Sequence, residues 1–239
     1  MEWRDAGLVL AARPHGETAV ILELLTRDHG RHLGVVHGGT SRRKAPMLQP
    51  GNQLDAVWKA RLESHLGTWT VELRTSRAAA ILGDPLRLSA LSSVTALAAF
   101  ALPERDPHPR FAARTETLCD AIASGDGWLP DYVAWEMGLL EISGFGLDLS
   151  ACAATGTTDD LAYVSPRTGR AVSVAGAGDW AARLLPLPPM LLGHPADLPG
   201  VQASLDLIGH FLHERLAPSL GDKPIPPARH RLLDELRRA

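Results

Sequence analysis

The sequence predicts an α+β fold in which an N-terminal five-stranded barrel is followed by a mainly helical region with a small β-hairpin insert. Two observations support this prediction. Five short segments with the apolar patterns of β-strands lie within the first 80 of the 239 residues, and Gly- and Pro-containing turns join them. From Gly83 onward most apolar residues recur at helical spacing. We therefore predict two domains, residues 1–80 and residues 81–239.

The five predicted strands differ in their side-chain patterns. The first three are nearly continuous apolar or β-branched runs, and the last two alternate apolar and polar residues as half-buried strands do. Turn signatures at residues 14–17 and 27–30 separate the first three strands. Five short strands suit a small closed barrel of the oligonucleotide-binding (OB-fold) type. The predicted strands are residues 7–13, 18–26, 31–37, 53–58 and 68–73.

The helical region begins where Asp84 offers a capping side chain and Pro85 suits the first helical position. Two β-type segments, residues 161–165 and 171–174, predict the hairpin within an insert at about 150–176. A Pro-rich passage follows the hairpin and predicts an irregular connection. We expect Pro218 to end the fourth helix. The predicted helices are residues 86–102, 111–123, 130–143, 201–216 and 228–238.

Composition excludes several classes of protein. A hydrophobic fraction of 45% is enough for packed cores, so the chain is not globally disordered. No run of about 18 apolar residues predicts a membrane-spanning helix. The charged N-terminus has no apolar signal segment behind it, so we expect a cytoplasmic protein. Cys119 and Cys152 lie far apart, which predicts buried thiols and no disulfide framework.

The net charge of −3 conceals an uneven distribution along the chain. Residues 1–80 contain 11 Lys and Arg against 8 Asp and Glu, residues 81–222 contain 8 against 17, and residues 223–239 contain 5 against 2. Five of the ten histidines also lie in the first segment. This distribution predicts a local anion-binding site near the N-terminal end and not a basic surface over the whole protein.

The most distinctive stretch is residues 31–44, where an apolar strand enters a glycine turn that is followed by three consecutive cations. Adjacent cations repel one another and are tolerated where water or an external anion neutralises them. A Gly-rich loop beside a strand also lets a ligand approach the backbone. We therefore predict a contact with a nucleic-acid backbone, to which cations near neighbouring turns contribute. The predicted DNA-binding residues are Arg27, Arg31, His37, Arg42, Arg43, Lys44, Lys59, Arg61 and Arg74.

Two tryptophans and three histidines in this region have both structural and functional interpretations. Trp58 and Trp69 offer stacking faces to bases, but we favour the alternative that both fill the barrel core. His29, His32 and His37 suggest a metal site. Side chains alternate along a strand, however, so residues 32 and 37 point to opposite sides. We expect these histidines to be solvated or to face phosphate, and we predict no metal.

Few features of the sequence favour an enzyme. It contains neither a G-x-S-x-G elbow nor a G-x-x-x-x-G-K-[ST] phosphate loop. Residues 37–39 are similar to an oxyanion loop, but no serine elbow accompanies them. Glu136 and Glu141 are five residues apart on a predicted helix and do not share one face, so they do not form a catalytic pair. We therefore predict neither catalysis nor a cofactor.

Several short motifs occur in a specific order along the chain. They are residues 13–18 (RPHGET), 25–31 (LTRDHGR), 36–39 (VHGG), 48–51 (LQPG), 135–145 (WEMGLLEISGF) and 220–225 (LGDKPI), together with Cys152. By these motifs the chain resembles the RecO family of bacterial DNA-repair proteins, the recombination mediators of the RecF pathway. The resemblance runs over nearly the whole chain.

The resemblance implies a fold and a set of partners. The fold is an oligonucleotide-binding barrel followed by a helical domain with a small insert. The partners are single- and double-stranded DNA, RecR and the acidic C-terminal tail of single-strand binding protein. Such proteins anneal complementary strands and help to load recombinase onto coated strands, which are not catalysed reactions. The implied location is the cytoplasm, in association with the nucleoid.

The chain departs from the family at the hairpin. Many relatives carry C-x-x-C twice there, as a zinc site. Here Cys152 is present, but Thr155 stands at its partner position and residues 170–176 contain no cysteine. One thiolate does not make a four-ligand zinc site. We therefore predict a degenerate, zinc-finger-like hairpin without zinc, held by packing.

A second departure concerns the predicted partner site. Relatives often carry a basic residue just before an aromatic one, where the tail of single-strand binding protein docks. Here the two preceding positions are Val133 and Ala134. We expect the contact that remains to be apolar and to involve Trp135 and Leu139.

Two principal hypotheses follow. The first is a DNA-binding recombination mediator with phosphate contacts from the barrel. The second is a protein–protein adaptor whose barrel binds a partner protein and not DNA, which the acidic middle section and the Pro-rich connection allow. A hydrolase is a third hypothesis with little support. The sequence leaves open whether DNA lies on the barrel alone or also contacts the tail residues Arg229, Arg231, Arg237 and Arg238.

Overall fold

The computed structural model describes residues 1–125 and 127–238, and it has the predicted α+β fold. The N-terminal strands form a closed barrel, and helices with a small sheet make up the rest. The residues divide into two units, of which the second is Gly127–Ile225. The first unit contains the barrel and the helices up to Gly125, together with the chain from Pro226 onward. It thus extends beyond the first 80 residues, and the division into domains at residue 80 stays a prediction.

Five strands rich in apolar residues form the barrel: β1 (Glu2–His15), β2 (Ala19–Thr26), β3 (Gly30–Val36), β4 (Gln53–Lys59) and β5 (Thr68–Thr75). They close in the order β1-β2-β3-β5-β4. The long β1 pairs with β4 through its first half and with β2 through its second. Neighbours are antiparallel except for β3 and β5, which are parallel and pair at Val35 and Thr68. This closure is that of an oligonucleotide-binding barrel, as predicted.

One face of each strand fills the barrel interior. Along β3 the even-numbered residues are buried and the odd-numbered residues are partly exposed, as the period of two requires. Trp58 and Trp69 are both buried, which confirms that they belong to the core. Gly34 makes room for one of them, because a Cβ at this position would lie 2.6 Å from Cδ1 of Trp69.

Eight α-helices are present in the described part of the chain: α1 (Arg77–Ala80), α2 (Pro85–Ala101), α3 (Pro109–Ser124), α4 (Trp128–Ile142), α5 (Val174–Ala177), α6 (Leu198–Phe211), α7 (Ala217–Ser219) and α8 (Pro227–Arg238). Asp84 caps α2 as predicted, since its side chain accepts a hydrogen bond from the Arg87 N–H at 3.0 Å. In the first unit, α8 packs on α2. None of the described helices is both long enough and apolar enough to cross a membrane.

A buried arginine connects the barrel to α3. Arg77 is 2% exposed, and its guanidinium donates hydrogen bonds to the carbonyl of Gly51 at 3.1 Å and to the side chain of Gln53 at 3.2 Å. It also donates to Asp120 of α3 at 2.6 Å. One side chain therefore holds the helix against the strands.

The second unit combines helices with a three-stranded sheet of order β7-β6-β8. Its strands are β6 (Leu161–Val164), β7 (Ala171–Ser173) and β8 (Leu185–Pro186). The first two are the predicted hairpin. The third comes from the Pro-rich passage, which was predicted to be irregular and also contains a 3-10 turn at Pro189–Leu192. The prediction missed β8 because its two residues are too short to show a pattern.

Pro218 does not end the helix that precedes it. After α6 the chain makes a π-helical turn at Leu212–Leu216 and continues directly into α7. Pro218 lies in the first turn of α7, where a backbone N–H is not required by the helix. The sequence-based prediction at this position is therefore wrong.

Candidate nucleic-acid interface

Three loops of the barrel meet where β3 ends. The end of β3 pairs with the start of β2, so it adjoins the loop between β1 and β2. The Thr40 N–H donates a hydrogen bond to the Thr18 carbonyl at 3.2 Å, and the Val35 N–H donates to the Gly67 carbonyl at 3.0 Å. These bonds join the β1–β2 loop (residues 16–18), the β3–β4 loop (residues 37–52) and the β4–β5 loop (residues 60–67).

The β3–β4 loop presents two cations without compensating charges. Gly38 turns the chain with a φ of 66°, and Nζ of Lys44 holds the turn by donating to the carbonyl of His37 at 2.8 Å. Arg42 and Arg43 are exposed, and neither has a carboxylate within ion-pair distance in the part of the chain that the structure describes. Their guanidinium groups therefore remain available to an external anion.

The β4–β5 loop adds one more such cation. Lys59, at the end of β4, has its Nζ 3.2 Å from the carboxylate of Glu2, so its charge is locally compensated. Arg61 is exposed and has no carboxylate at that distance among residues 1–125 and 127–238. Arg61 lies in the β4–β5 loop, which Gly67 joins to the end of β3.

Arg27 and Arg74 lie elsewhere, on a cleft of about 450 Å³. Nη1 of Arg74 is 3.8 Å from the carboxylate of Asp55. The cleft lies at the end of β2, and the β1–β2 loop lies at its start. The seven residue steps between the two ends of this strand correspond to about 23 Å. Carboxylates outnumber cations in the cleft, so it suits a nucleic-acid backbone poorly. Its charged lining residues are Arg4, Asp5, Arg27, Asp28, Asp55, Arg74 and Glu116.

Arg31 is an internal structural residue. Its Nη1 donates a hydrogen bond to the Glu23 carboxylate, and its Nε donates to the Leu102 carbonyl at 2.7 Å. The side chains of Arg31 and Glu23 are 17% and 4% exposed. Because these bonds occupy the guanidinium from two sides, the geometry does not support the predicted phosphate contact of Arg31.

His32 and His37 face opposite sides, as predicted, but only one of them is solvated. His37 is exposed in the β3–β4 loop, whereas His32 is 4% exposed. The His32 ring centroid lies 4.7 Å from that of Trp58 and 6.0 Å from that of Trp69. Burial, and then the charge of Arg105, lowers the pKa of His32 to about 4. The expectation of a solvated His32 is wrong because the even-numbered residues of β3 face the interior.

The residues predicted for apolar partner contact are core residues of α4. Trp135 and Leu139 are both 0% exposed. The Trp135 ring lies 6.1 Å from that of Tyr132, whose hydroxyl donates to Glu136 at 2.8 Å. Neither predicted side chain reaches the surface, so a docking partner would have to contact other residues.

The tail arginines also differ in their surroundings. Arg229 is 2% exposed, whereas Arg231 is exposed on α8. Arg237 and Arg238 are exposed, and each forms an ion pair one turn back along the helix, at 3.3 Å and 2.9 Å. Burial removes Arg229 from the set of tail residues that DNA could reach.

Residues of the 170–176 segment lie against Cys152 in the hairpin, but the residues that meet there do not fit zinc. Sγ of Cys152 accepts hydrogen bonds from the N–H and the hydroxyl of Ser173 at 3.2 and 3.3 Å. A Cβ on Gly176 would lie 2.7 Å from this sulfur. Hydrogen bonds from Ser173, and then from Thr155, lower the pKa of Cys152 to about 6. One thiol and two hydroxyls are not a tetrahedral zinc site, and the described residues contain no group of three or more His, Cys, Asp or Glu placed to hold a metal.

Residues at the end of β1 lie beside the candidate interface although their charge pattern does not single them out. Arg13 and His15 are exposed beside the β1–β2 loop. The side chain of Arg13 is 70% exposed and lies 3.7 Å from Glu23. The signal that could have identified them is their position just before the turn glycine Gly16, which has a φ of 64°.

Known proteins resemble this chain over its whole length. The family described as Recombination protein O N terminal matches residues 1–77, and Recombination protein O C terminal matches residues 82–224. The chain is 60% identical over 239 residues to the DNA repair protein RecO of Dinoroseobacter shibae, covering 100% of this chain and 99% of the relative. It is 56% identical over 238 residues to the DNA repair protein RecO of a Jannaschia species, covering 100% and 97%. It is 54% identical over 240 residues to that of a Ruegeria species, covering 100% and 99%.

Proposed function

The chain belongs to the RecO family of DNA repair proteins, and on this premise we propose that it is a recombination mediator that binds single-stranded DNA where the three barrel loops meet. Its role in DNA repair follows from the family. The observation that carries the finer proposal is the exposure of Arg42 and Arg43 without carboxylate partners in the described residues, in a loop bonded to its neighbours. A phosphate backbone supplies the anions that these cations lack.

The distribution of charge favours the same part of the molecule. Residues 127–225 contain 5 Lys and Arg against 11 Asp and Glu, whereas the rest of the chain contains 19 against 16. A polyanion is repelled by the second unit and not by the first. The N-terminal barrel is therefore the favoured surface for DNA.

The glycines of these loops provide room for a backbone contact. Gly16 and Gly38 both have positive φ angles, and a Cβ on either would meet no atom within 4 Å. Because neither carries a side chain, a phosphate can approach the main-chain N–H groups of both loops. Arg13 and His15 would add contacts from the end of β1.

The salt dependence of binding tests the proposal. The affinity of the full chain for a single-stranded oligonucleotide is measured by fluorescence anisotropy at a series of salt concentrations. Each neutralised phosphate releases counterions, so the logarithm of the affinity falls with the logarithm of salt concentration by about 0.7 per contact. We expect a steep decline. An affinity that is independent of salt, or no binding at micromolar protein in low salt, contradicts the proposal.

We further propose that the protein binds duplex DNA, anneals complementary strands and helps to load recombinase together with RecR and single-strand binding protein. It would act in the cytoplasm, at the nucleoid, without a cofactor and without catalysing a reaction. Family membership supports this proposal. An annealing assay on strands coated with single-strand binding protein, with and without RecR, tests it, and turnover assays for ester, phosphate and nuclease activity should remain at background.

An adaptor that binds a protein partner is the second candidate. Leu62 and Leu66 in the β4–β5 loop are 54% and 37% exposed, which favours an apolar contact at this loop. A gel-shift titration with single-stranded DNA at low salt distinguishes the two functions. The adaptor predicts no shift at micromolar protein, whereas the mediator predicts a shift.

A further inference from the structure

β3 is fully paired along one edge only. Every residue of β3 pairs with β2, whereas β5 pairs with it at a single position near its end. The other edge of β3 would present unpaired backbone groups along its first half, which is unfavourable in a barrel. We call this edge the seam of the barrel. The groups that cover the seam come from outside the regular pairing of the five strands.

Alternate residues of β3 direct backbone groups toward the seam, and three of these groups bond to parts of the chain outside the regular strand pairing. The partners differ in origin, since one is a linker backbone, one is a side chain of β4 and one belongs to the β4–β5 loop. They are the Arg105 N–H on the Arg31 carbonyl (2.8 Å), the Trp58 Nε1–H on the Leu33 carbonyl (3.3 Å) and the Gly67 carbonyl on the Val35 N–H (3.0 Å).

The α2–α3 linker (residues 102–108) lies directly against the seam. Glu104 forms a parallel β-bridge with Arg31, and the Leu102 carbonyl accepts a hydrogen bond from Nε of Arg31. Gly30 makes this approach possible, because a Cβ at Gly30 would lie 2.3 Å from the Asp106 carbonyl oxygen. The linker thus serves as a short additional strand at the start of β3.

Arg105 connects this linker with the β4–β5 loop. While its backbone N–H bonds to β3, its Nη2 donates a hydrogen bond to the His65 carbonyl at 2.9 Å. Its φ of 61° lies in the left-handed region, which is unfavourable for a residue with a side chain. The bonds on both sides of Arg105 offset this strain. Arg105 therefore adds a second attachment of the β4–β5 loop to the seam, at His65, beside the bond between Gly67 and Val35.

We propose that Arg105 is a positioning residue for DNA binding, which keeps the β4–β5 loop against the seam and thereby restricts the positions that Arg61 of this loop can take. The inference rests on the proposed function. Arg105 is partly buried and its Nη2 bonds within the protein, so it acts through the loop and not by contacting phosphate. A loop that is already ordered loses less conformational entropy when DNA binds.

Limited trypsin digestion without DNA tests whether Arg105 keeps the β4–β5 loop against the seam. Trypsin cleaves after Arg61 when the β4–β5 loop opens locally. We expect Arg105→Ala to raise the rate of cleavage after Arg61 several-fold, while cleavage after Arg43 in the same sample stays unchanged. Arg105→Gly tests the same loss without strain at the positive φ. Arg110→Ala, which removes an exposed cation at the start of α3, is the matched control and should behave as wild type.

Cleavage after Arg61 that is unchanged in both Arg105 variants overturns the proposal. A rise in cleavage after Arg43 that equals the rise after Arg61 also overturns it, because general unfolding and not release of one loop would then be the cause. The glycine variant keeps the test decisive if the alanine variant does not fold.

Measurements of DNA binding by the full chain test whether this attachment of the loop contributes to affinity. We expect Arg105→Ala and Arg105→Gly to weaken single-strand binding about 3- to 10-fold, and Arg110→Ala to stay within about twofold of wild type. Addition of Arg105→Ala to Arg61→Ala should cause no further loss, because the loop then carries no cation to position. Fully additive losses overturn the positioning role. If wild type does not bind DNA, the proposed function fails, and with it this contribution to affinity, whereas the digestion still decides how the loop is held.

Discussion

Arg31 and Arg42 belong to the same short stretch of sequence, and the fold gives them opposite surroundings. Arg31 lies at the seam of the barrel between the Glu23 carboxylate and the Leu102 carbonyl. Arg42 lies in the β3–β4 loop, exposed and without a carboxylate partner in the described residues. Whether an arginine is free to bind an external anion therefore depends on the groups that tertiary contacts bring to its guanidinium. Local density of positive charge alone does not decide it.

The largest expected effect is a loss of stability when the ion pair of the internal Arg31 is broken. Glu23→Gln removes the carboxylate of the pair and leaves the guanidinium of Arg31 with little access to water. We expect the free energy of unfolding to fall by about 3 kcal/mol, as when one partner of a buried ion pair is removed. Urea unfolding followed by tryptophan fluorescence measures this change.

Lys59→Ala is the matched control for an exposed pair, because it breaks the contact of Lys59 with Glu2. Exposed ion pairs contribute little to stability, so we expect the unfolding curve to match that of wild type. Equal stability of the Glu23→Gln and Lys59→Ala variants would contradict the internal role of Arg31.

Acid should destabilise the barrel through His32. Its pKa in the folded state is about 4, below the ordinary value of 6.5, so the folded protein binds this proton more weakly than the unfolded chain does. The stability that depends on neutral His32 is therefore present above pH 6.5 and is lost as pH falls toward 4. The loss amounts to up to about 3 kcal/mol.

Unfolding curves between pH 7 and pH 4 measure this loss. His32→Phe should flatten the dependence of stability on pH, because the buried ring no longer titrates. His37→Ala changes the exposed histidine of the same region and should leave the profile as in wild type. A wild-type profile for His32→Phe would show that the acid sensitivity arises elsewhere.

The exposed cations should determine DNA binding. Replacement of Arg42, Arg43 and Lys44 by alanine is expected to lower the affinity for single-stranded DNA about 30-fold and to reduce the salt slope by about 1.4 to 2. Anisotropy titrations at several salt concentrations measure both quantities. The slope is decisive because it counts the phosphate contacts that were lost.

The double variant Arg27→Ala with Arg74→Ala is the control for this experiment. It removes two cations from the charge-compensated cleft, and we expect affinity within about threefold of wild type and an unchanged slope. A larger effect in the cleft than in the β3–β4 loop would reverse the assignment of the interface.

The smallest expected effect concerns the hairpin. Hydrogen bonds from Ser173 occupy the Cys152 sulfur, so this sulfur, like Arg31, is satisfied within the fold. We expect EDTA to leave Tm unchanged and elemental analysis to find no stoichiometric zinc. Stoichiometric zinc in the purified protein would show that other residues complete a metal site.

Patterns in the sequence predicted the parts of the fold that depend on local periodicity. The alternation of side chains along the strands correctly predicted that Trp58 and Trp69 lie in the core and that His32 and His37 have different surroundings. The same alternation did not show which of the two faces of β3 is interior, so the burial of His32 was not predicted. Trp135 and Leu139 were predicted as partner residues and lie in the core, because an apolar stripe on a helix has the same pattern whether the core or a partner covers it.

Patterns along the chain were enough to predict the five strands, most of the helices, the family and the loop with three consecutive cations. The strands, the helices and the loop depend on residues that are close together along the chain, and the family on the order of several short motifs. Long-range contacts in the fold make Arg31 internal, place the α2–α3 linker on the seam and bond Arg105 to the β4–β5 loop. These features join residues far apart in sequence, such as Arg31 with Leu102 and Arg105 with His65. Their energies depend on burial and on partner groups that no local pattern specifies.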